Sequence, residues 1–215
     1  MSIDGPGSRL AYSEVLAVNG FIVFPEISKD DLVKAASGLG WMAPDWHRIE
    51  VRERKHARPN SLSGLYGRGS FPWHTDGAIA RDSPRYLMMH CGDADLSEPT
   101  EILALKRESS EDIANVMAGT ALLVTPDKGS KWFSRALDRG GSRFQARWDT
   151  RACTPRSARS AMRLQGLLAD IEPTGSVQWA AGTGVIIDNF TALHRRPCVG
   201  SPNRILHRRY IYEQD

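Results

Sequence analysis

The chain has 215 residues, of which 41% are hydrophobic and 25% charged, and its formal net charge is +3. That composition is close to the average for a soluble globular protein, and the length is one domain's worth with enough residues to bury a core. It excludes a disordered chain, a collagen-like chain and a solenoid of low-complexity repeats, and the charge is too mild to imply nucleic acid by itself.

No apolar run reaches the roughly 18 to 20 residues that span a bilayer, so no membrane segment is expected. The opening residues, MSIDGPGSRL, lack a basic region followed by an apolar stretch, so no secretory signal is expected. Cys91, Cys153 and Cys198 are odd in number, far apart and form no CxxC pair. A disulfide framework or structural zinc site is therefore not expected, and a reducing cytoplasm is the natural location. Neither an internal repeat nor a Pro-, Gly- or Ser-rich linker divides the chain, so residues 1–215 read as a single domain.

In chain order, Gly20-Phe21-Ile22-Val23-Phe24 is a compact apolar run that favours a buried strand. Ser28-Lys29-Asp30-Asp31 opens a helix continued by Leu32, Ala35 and Ala36. Asn60 to His74 is strand-like, broken by Gly64, Gly67 and Gly69, and Pro84 to Cys91 is a buried strand. Ser109 to Met117 is a short helix with acidic residues in its first turn, as the helix dipole prefers. Thr120 to Val124 and Arg143 to Trp148 read as strands. Ser157 to Ala169 is an amphipathic helix with Ala161, Leu164 and Leu168 on one face and Arg159 and Arg163 towards the other. Strands return at Val177 to Trp179, Gly184 to Asp188 and Asn203 to Tyr212. Many short strands with a few helices favour a β-sandwich or jelly roll with helices packed outside.

The chemistry concentrates in Phe71-Pro72-Trp73-His74-Thr75-Asp76-Gly77. On a strand, residues i and i+2 share a face, so His74 and Asp76 reach one point together. An imidazole nitrogen beside a carboxylate oxygen suits a divalent transition metal. Two ligands hold a metal poorly, and the best third candidate is His194, which follows the buried run Gly184-Val185-Ile186-Ile187 where that strand should end. Two histidines and a carboxylate on one face of a metal leave the opposite positions open, the geometry of non-haem Fe(II). Each piece has a plain structural reading, since a His-x-Asp tripeptide is common by chance and a histidine after a strand is often a hydrogen-bonded core residue. The weight falls on their combination with Asn203-Arg204-Ile205-Leu206-His207-Arg208-Arg209-Tyr210. Alternation puts Arg204, Leu206 and Arg208 on one face. An arginine inside a barrel is costly unless it meets an anion, which a guanidinium clamps through two parallel bonds. The same arginines on an exposed edge strand would face water.

Taken together, these segments resemble the Fe(II)- and 2-oxoglutarate-dependent oxygenases of the taurine dioxygenase and clavaminate synthase type. The matching pieces are Trp73 to Gly77, Gly182 to Asn189 leading to Leu193-His194, Arg204 to Arg208, and the N-terminal strand Gly20 to Val23. The resemblance implies a mainly β fold with flanking helices around a double-stranded β-helix (jelly-roll) core. It implies that His74, Asp76 and His194 bind iron and that Arg204 holds the distal carboxylate of 2-oxoglutarate. Thr100, in Glu98-Pro99-Thr100-Glu101, would bond the same carboxylate, and Arg208 would face co-substrate or substrate. Asp76 stands where related halogenases carry a small residue, so oxygenation is implied, with O2 consumed and succinate and CO2 released. The chain is shorter than many members, which implies that some lid helices are absent.

The implied substrate is a small molecule, amino-acid-like or a specialised metabolite, and anionic or carrier-bound. Phe71, Trp73 and Trp132 are candidates for dry walls, or plain core. Basic residues recur at 131, 135, 139, 143, 147, 151, 156, 159 and 163. They are either a site for an anionic partner or a solvated face, with Lys131 to Arg135 and Arg147 the candidates for the site mouth. Cys198 reads as a buried small residue, and His47, His56, His90 and His207 as structural or surface residues. Two competing readings are a non-oxidative metal enzyme (isomerase or hydrolase), which would need no Arg204, and a nucleic-acid-acting protein, which would show steep salt dependence. No interleaving of aromatic and basic residues supports the latter. The sequence leaves substrate identity and oligomeric state open.

Overall fold

The computed structural model describes residues 6–57, 61–92, 96–141, 143–200 and 204–214. The first five residues, with part of the N-terminal segment read for a signal, and the strand ends expected at Asn60 and Asn203 lie outside them. Helix α1 (Pro6–Asn19), β1 (Phe21–Phe24), α2 (Lys29–Ala36), β2 (Trp41–Met42) and β3 (His47–Glu50) open the fold. Next come α3 (Leu62–Tyr66), β4 (Phe71–His74), β5 (Tyr86–His90), β6 (Leu96–Ala104) and α4 (Glu111–Ala118). An outer unit follows: β7 (Ala121–Val124), β8 (Trp132–Arg135), β9 (Leu137–Asp138), β10 (Gln145–Ala146), β11 (Cys153–Pro155) and α5 (Ala158–Asp170). β12 (Gly175–Trp179), β13 (Gly184–Asp188), β14 (Ala192–Arg196) and β15 (Ile205–Tyr212) close it.

Two antiparallel sheets build the jelly roll. The larger runs β1-β13-β5-β15, with β2 and β3 sharing the far edge of β15, and the smaller runs β12-β6-β14-β4. β11-β7-β8 and the β9-β10 ribbon form small outer sheets.

Strand periodicity sorts the residues into layers. Leu87 and Met89 of β5, Val185 and Ile187 of β13, Ile102 of β6, Ala192 of β14 and Leu206 of β15 fill the space between the sheets. Their neighbours Tyr86, Met88 and Ile186 turn outward and are covered by Leu16 of α1 and by Leu32 and Ala36 of α2. Covered on both faces, β5 and β13 are buried along their whole length, which is why their sequences are continuously apolar rather than alternating. On the other side, Trp73, Leu103 and Leu193 face a layer made by Ile113 and Met117 of α4, Leu164 and Leu168 of α5, and the outer unit. The helix face expected on α5 is the one buried, and Ser157 and Ser28 cap α5 and α2 by accepting from the N–H groups of Ser160 and Asp31.

Three expectations are corrected. The stretch up to His74 is not one interrupted strand: Ser61 caps α3, which ends at the positive-φ Gly67, and only Phe71–His74 is extended. In Arg143 to Trp148 only Gln145 and Ala146 form strand. His194 does not sit where β13 ends. A turn at residues 188–191 starts a new strand, β14, in the opposite sheet.

Candidate metal centre

His74 ends β4, the edge strand of the smaller sheet, where Pro72 is tolerated because an edge leaves its missing N–H unneeded. β14 runs antiparallel beside it, and His194 pairs directly with His74. Their rings lie 4.2 Å apart between centroids. Asp76 follows in the loop after β4, where Gly77 takes φ +68° and lies so close to Pro84 that a Cβ would stand 2.6 Å from its ring. That residue must be glycine.

One ligand atom from each of His74, Asp76 and His194 lies within 4.8 Å of the others, and all three residues are buried. Asp76 Oδ1 stands 3.8 Å from Nε2 of each histidine. His74 Nδ1 donates to the Pro72 carbonyl at 2.9 Å, which leaves its Nε2 lone pair facing the cluster. Burial, together with the neighbouring His74, pushes the His194 imidazole down to about 3, so it is neutral and able to ligate. Burial alone would raise the Asp76 carboxyl, but Arg208, the two imidazoles and Tyr210 outweigh it and hold the group at about 2. Two imidazoles and one carboxylate at a single buried point are a donor set that fits a divalent transition metal.

The far oxygen of Asp76 is also held. Arg208 Nη1 donates to Oδ2 at 2.6 Å and the Tyr210 hydroxyl at 3.3 Å. Arg208 and Tyr210 lie two apart on β15 and so reach the same side. Arg204, on the same face, is 5% exposed. Its Nη2 makes one long bond, 3.5 Å, to Thr100 Oγ1, and its Nε has no hydrogen-bond partner. Trp179 Nε1 donates to that same Oγ1 at 3.0 Å. With two donors on its oxygen, the Thr100 hydroxyl keeps its own proton to give. Burial lowers the Arg204 guanidinium to about 10, still charged at neutral pH. The result is a buried cation with spare donors on the same strand face as Arg208, the condition for an anion site.

Of the six residues singled out from sequence, the structure gathers His74, Asp76 and His194 into one cluster, sets Arg208 on Asp76, and separately pairs Arg204 with Thr100. Other expectations change. Arg147 is buried away from any site mouth and donates to the carbonyls of Ala78, Ala80 and Arg81, stacking on Trp132. It pins the loop after Asp76. Arg151 pairs with Asp149, Arg139 bonds Asn115, and Arg156 stacks on Phe133. Much of the basic series is thus spent locally. Lys131 to Arg135 contributes β8, an edge of an outer sheet. Trp73 packs in the outer core and, with Phe71 and Trp148, also lines a cavity of about 820 Å³ whose walls include none of the three candidate ligands. Cys198 is exposed, against expectation, and His90 is a buried structural residue bonded to the Ile27 carbonyl. Sequence reading missed Tyr210 and Asn189. Tyr210 was two positions from Arg208 on the face already assigned, a signal that strand alternation offered.

No protein-family model matches the chain, and no curated protein matches it. Solved structures do. An asparagine oxygenase in complex with Fe(II), 2S,3S-3-hydroxyasparagine and succinate is 17% identical, with 97% of this chain and 80% of that one covered and a TM-score of 0.71. A taurine dioxygenase from Burkholderia xenovorans is 15% identical, with 98% and 83% covered and a TM-score of 0.69. The non-heme iron oxygenase OrfP, in complex with (3S)-hydroxy-L-Arg, is 18% identical, with 98% and 81% covered and a TM-score of 0.66. At these identities the likeness establishes the fold: a jelly roll shared with these oxygenases, each of them longer than this chain.

Proposed function

We propose that the chain is a non-haem Fe(II)- and 2-oxoglutarate-dependent dioxygenase that hydroxylates an unactivated C–H of a small molecule. The observation that carries this reading is the buried convergence of His74, Asp76 and His194, joined by an under-bonded Arg204 on the same strand face as the Arg208 that holds Asp76. In this reading the three ligands hold the iron, and Arg204 with Thr100 holds the distal carboxylate of 2-oxoglutarate. When bound, iron and keto acid together supply the oxidising power, with 2-oxoglutarate and O2 yielding succinate and CO2 as the substrate gains a hydroxyl.

The chain's own residues orient and shield that chemistry. Arg208 and Tyr210 hold Asp76 Oδ2, so Oδ1 is the oxygen turned to the histidines. Arg208 has further donors, Nε among them without a partner, for a co-substrate or substrate anion. An amino-acid-like or specialised substrate, anionic or carrier-bound, suits that cation, and two of the structural neighbours carry hydroxylated amino acids. A non-oxidative metal enzyme would have no use for Arg204, and the local use of the basic residues leaves little to favour nucleic acid. The whole chain acts as one domain. No helix among the described residues is long and apolar enough to cross a membrane. Three cysteines that form no disulfide suit a reducing cytoplasm.

The test is anaerobic. Fe(II) and 2-oxoglutarate added together should give the weak visible charge-transfer band of the chelate, and air should then release succinate. A chain that binds neither, under conditions where it is folded, is not this enzyme.

A further inference from the structure

Asn189 is 1% exposed, and its side chain ends on the backbone of a residue far away in sequence. Its Oδ1 accepts from the Asp76 N–H at 2.8 Å. Its Nδ2 donates to the Asp76 carbonyl at 2.9 Å and to the Pro84 carbonyl at 2.8 Å. The orientation of the amide is fixed by its partners, since turning it over would set its oxygen against two carbonyls and its NH2 against an N–H. Its own N–H donates to the Arg85 carbonyl at 2.7 Å, so both ends of the residue are anchored.

This arrangement matters because Asp76 lies beyond the end of β4 at His74. No strand ladder holds its backbone. The Asn189 amide bonds both the N–H and the carbonyl of Asp76, as a partner strand would. Asn189 itself lies in the turn between β13 and β14, five residues before His194. The turn is rigid in its own right, with Thr191 N–H bonded to the Asp188 carbonyl and Phe190 N–H to Asp188 Oδ1. A single side chain therefore ties the segment carrying two of the candidate ligands to the segment carrying the third.

We infer that Asn189 is a positioning residue of the metal centre: it sets the Asp76 backbone, relative to the strand bearing His194, so that the carboxylate meets the two imidazoles. The inference rests on the iron reading above and adds to it a residue that touches neither metal nor co-substrate. A side chain that orients a metal ligand costs roughly 10- to 100-fold in metal affinity when removed. A purely structural amide would instead lower stability and leave the metal spectrum of the folded protein unchanged.

The experiment titrates the full chain with Co(II), without 2-oxoglutarate or turnover, and follows the visible d–d absorption well below each variant's melting temperature. Gln145→Ala is the control. Gln145 is another buried amide and holds the same loop through a 3.0 Å bond to Ser83, without contact to Asp76. Asn189→Ala should bind Co(II) roughly 10- to 100-fold more weakly, with a shifted spectrum. Gln145→Ala should keep the wild-type spectrum and an affinity within about twofold, well short of that range. Asn189→Asp has the same shape and, ionised, no donors. It should behave like the alanine variant, and it carries the test if alanine does not fold. Wild-type affinity and spectrum in the Asn189 variants overturn the inference, as does an equal change in Gln145→Ala. A wild-type chain that binds no Co(II) at all instead overturns the iron reading on which the inference stands.

Discussion

At the scale of single residues, the cost of burying charge is the argument for function. A guanidinium left at 5% exposure with one long hydrogen bond is expensive to keep, and an anion is what would repay it. Removing one partner of a buried, hydrogen-bonded charge pair costs about 2 to 5 kcal/mol. Arg204→Ala should therefore raise the 2-oxoglutarate concentration needed for half-maximal succinate release by at least about thirtyfold. Arg204→Lys should recover little, because an ammonium cannot form two parallel bonds to a carboxylate. An unchanged requirement in the alanine variant removes Arg204 from its role. Asp76→Ala should weaken Fe(II) binding and abolish succinate release, which a coupled assay and a metal titration read separately.

At the scale of elements, the β13–β14 turn contributes a pH dependence of its own. Burial raises the Asp188 carboxyl from 3.8 to about 6 despite the nearby Arg85. The folded state thus holds this proton more tightly than the unfolded chain does. Its contribution to stability is complete below the unfolded value and is lost as pH rises from about 4 to about 6. The shift corresponds to about 3 kcal/mol. Asp76 works in the opposite direction and in another window: held at about 2, it adds stability that is lost as pH falls below about 4. In urea melts of the metal-free chain, Asp188→Asn should flatten the decline between pH 4 and 6. A decline of wild-type size in that variant assigns the effect elsewhere. The outer layer can be probed through α5, where Leu164 is fully buried against α4. Leu164→Ala should cost about 2 to 5 kcal/mol. It should do so without changing the Co(II) spectrum, because the smaller sheet stands between α5 and the ligands.

At the scale of the whole molecule, the fold is a frame that holds two strands of one sheet against one strand of the other. β4 and β14 bring the histidines together, and β15 from the opposite sheet supplies the arginines. A ligand that bridges such a frame stabilises it by mass action, about 2.7 kcal/mol at a hundredfold excess over Kd. For a chain of this length that is a rise of roughly 5 to 11 °C in Tm. Mn(II) with 2-oxoglutarate, in the absence of oxygen, should produce a rise of that order in a thermal melt. Asp76→Ala should abolish it, and a wild-type Tm indifferent to both ligands counts against the site.

The sequence by itself, through strand periodicity, pointed to a β-sandwich or jelly roll, and the resemblance of its motifs narrowed this to a jelly roll and named the candidate residues. Strand alternation has period two, so His74 with Asp76 and Arg204 with Arg208 declared a shared side without coordinates. Continuous apolar runs marked the strands that are covered on both faces. Local chemistry, such as the serine caps at 28 and 157, was equally legible. What only the tertiary structure decided was everything that depends on a partner distant in the chain. The directness of the His194–His74 pairing follows from a turn that changes sheets, and periodicity within one strand is blind to such a change. Arg147 read as a candidate for the site mouth because composition cannot show that three loop carbonyls lie waiting for it. The part played by Asn189 was hidden for the same reason. Its two hydrogen bonds to the Asp76 backbone exist only once the chain has closed a loop of more than a hundred residues, and only the packed fold makes that closure.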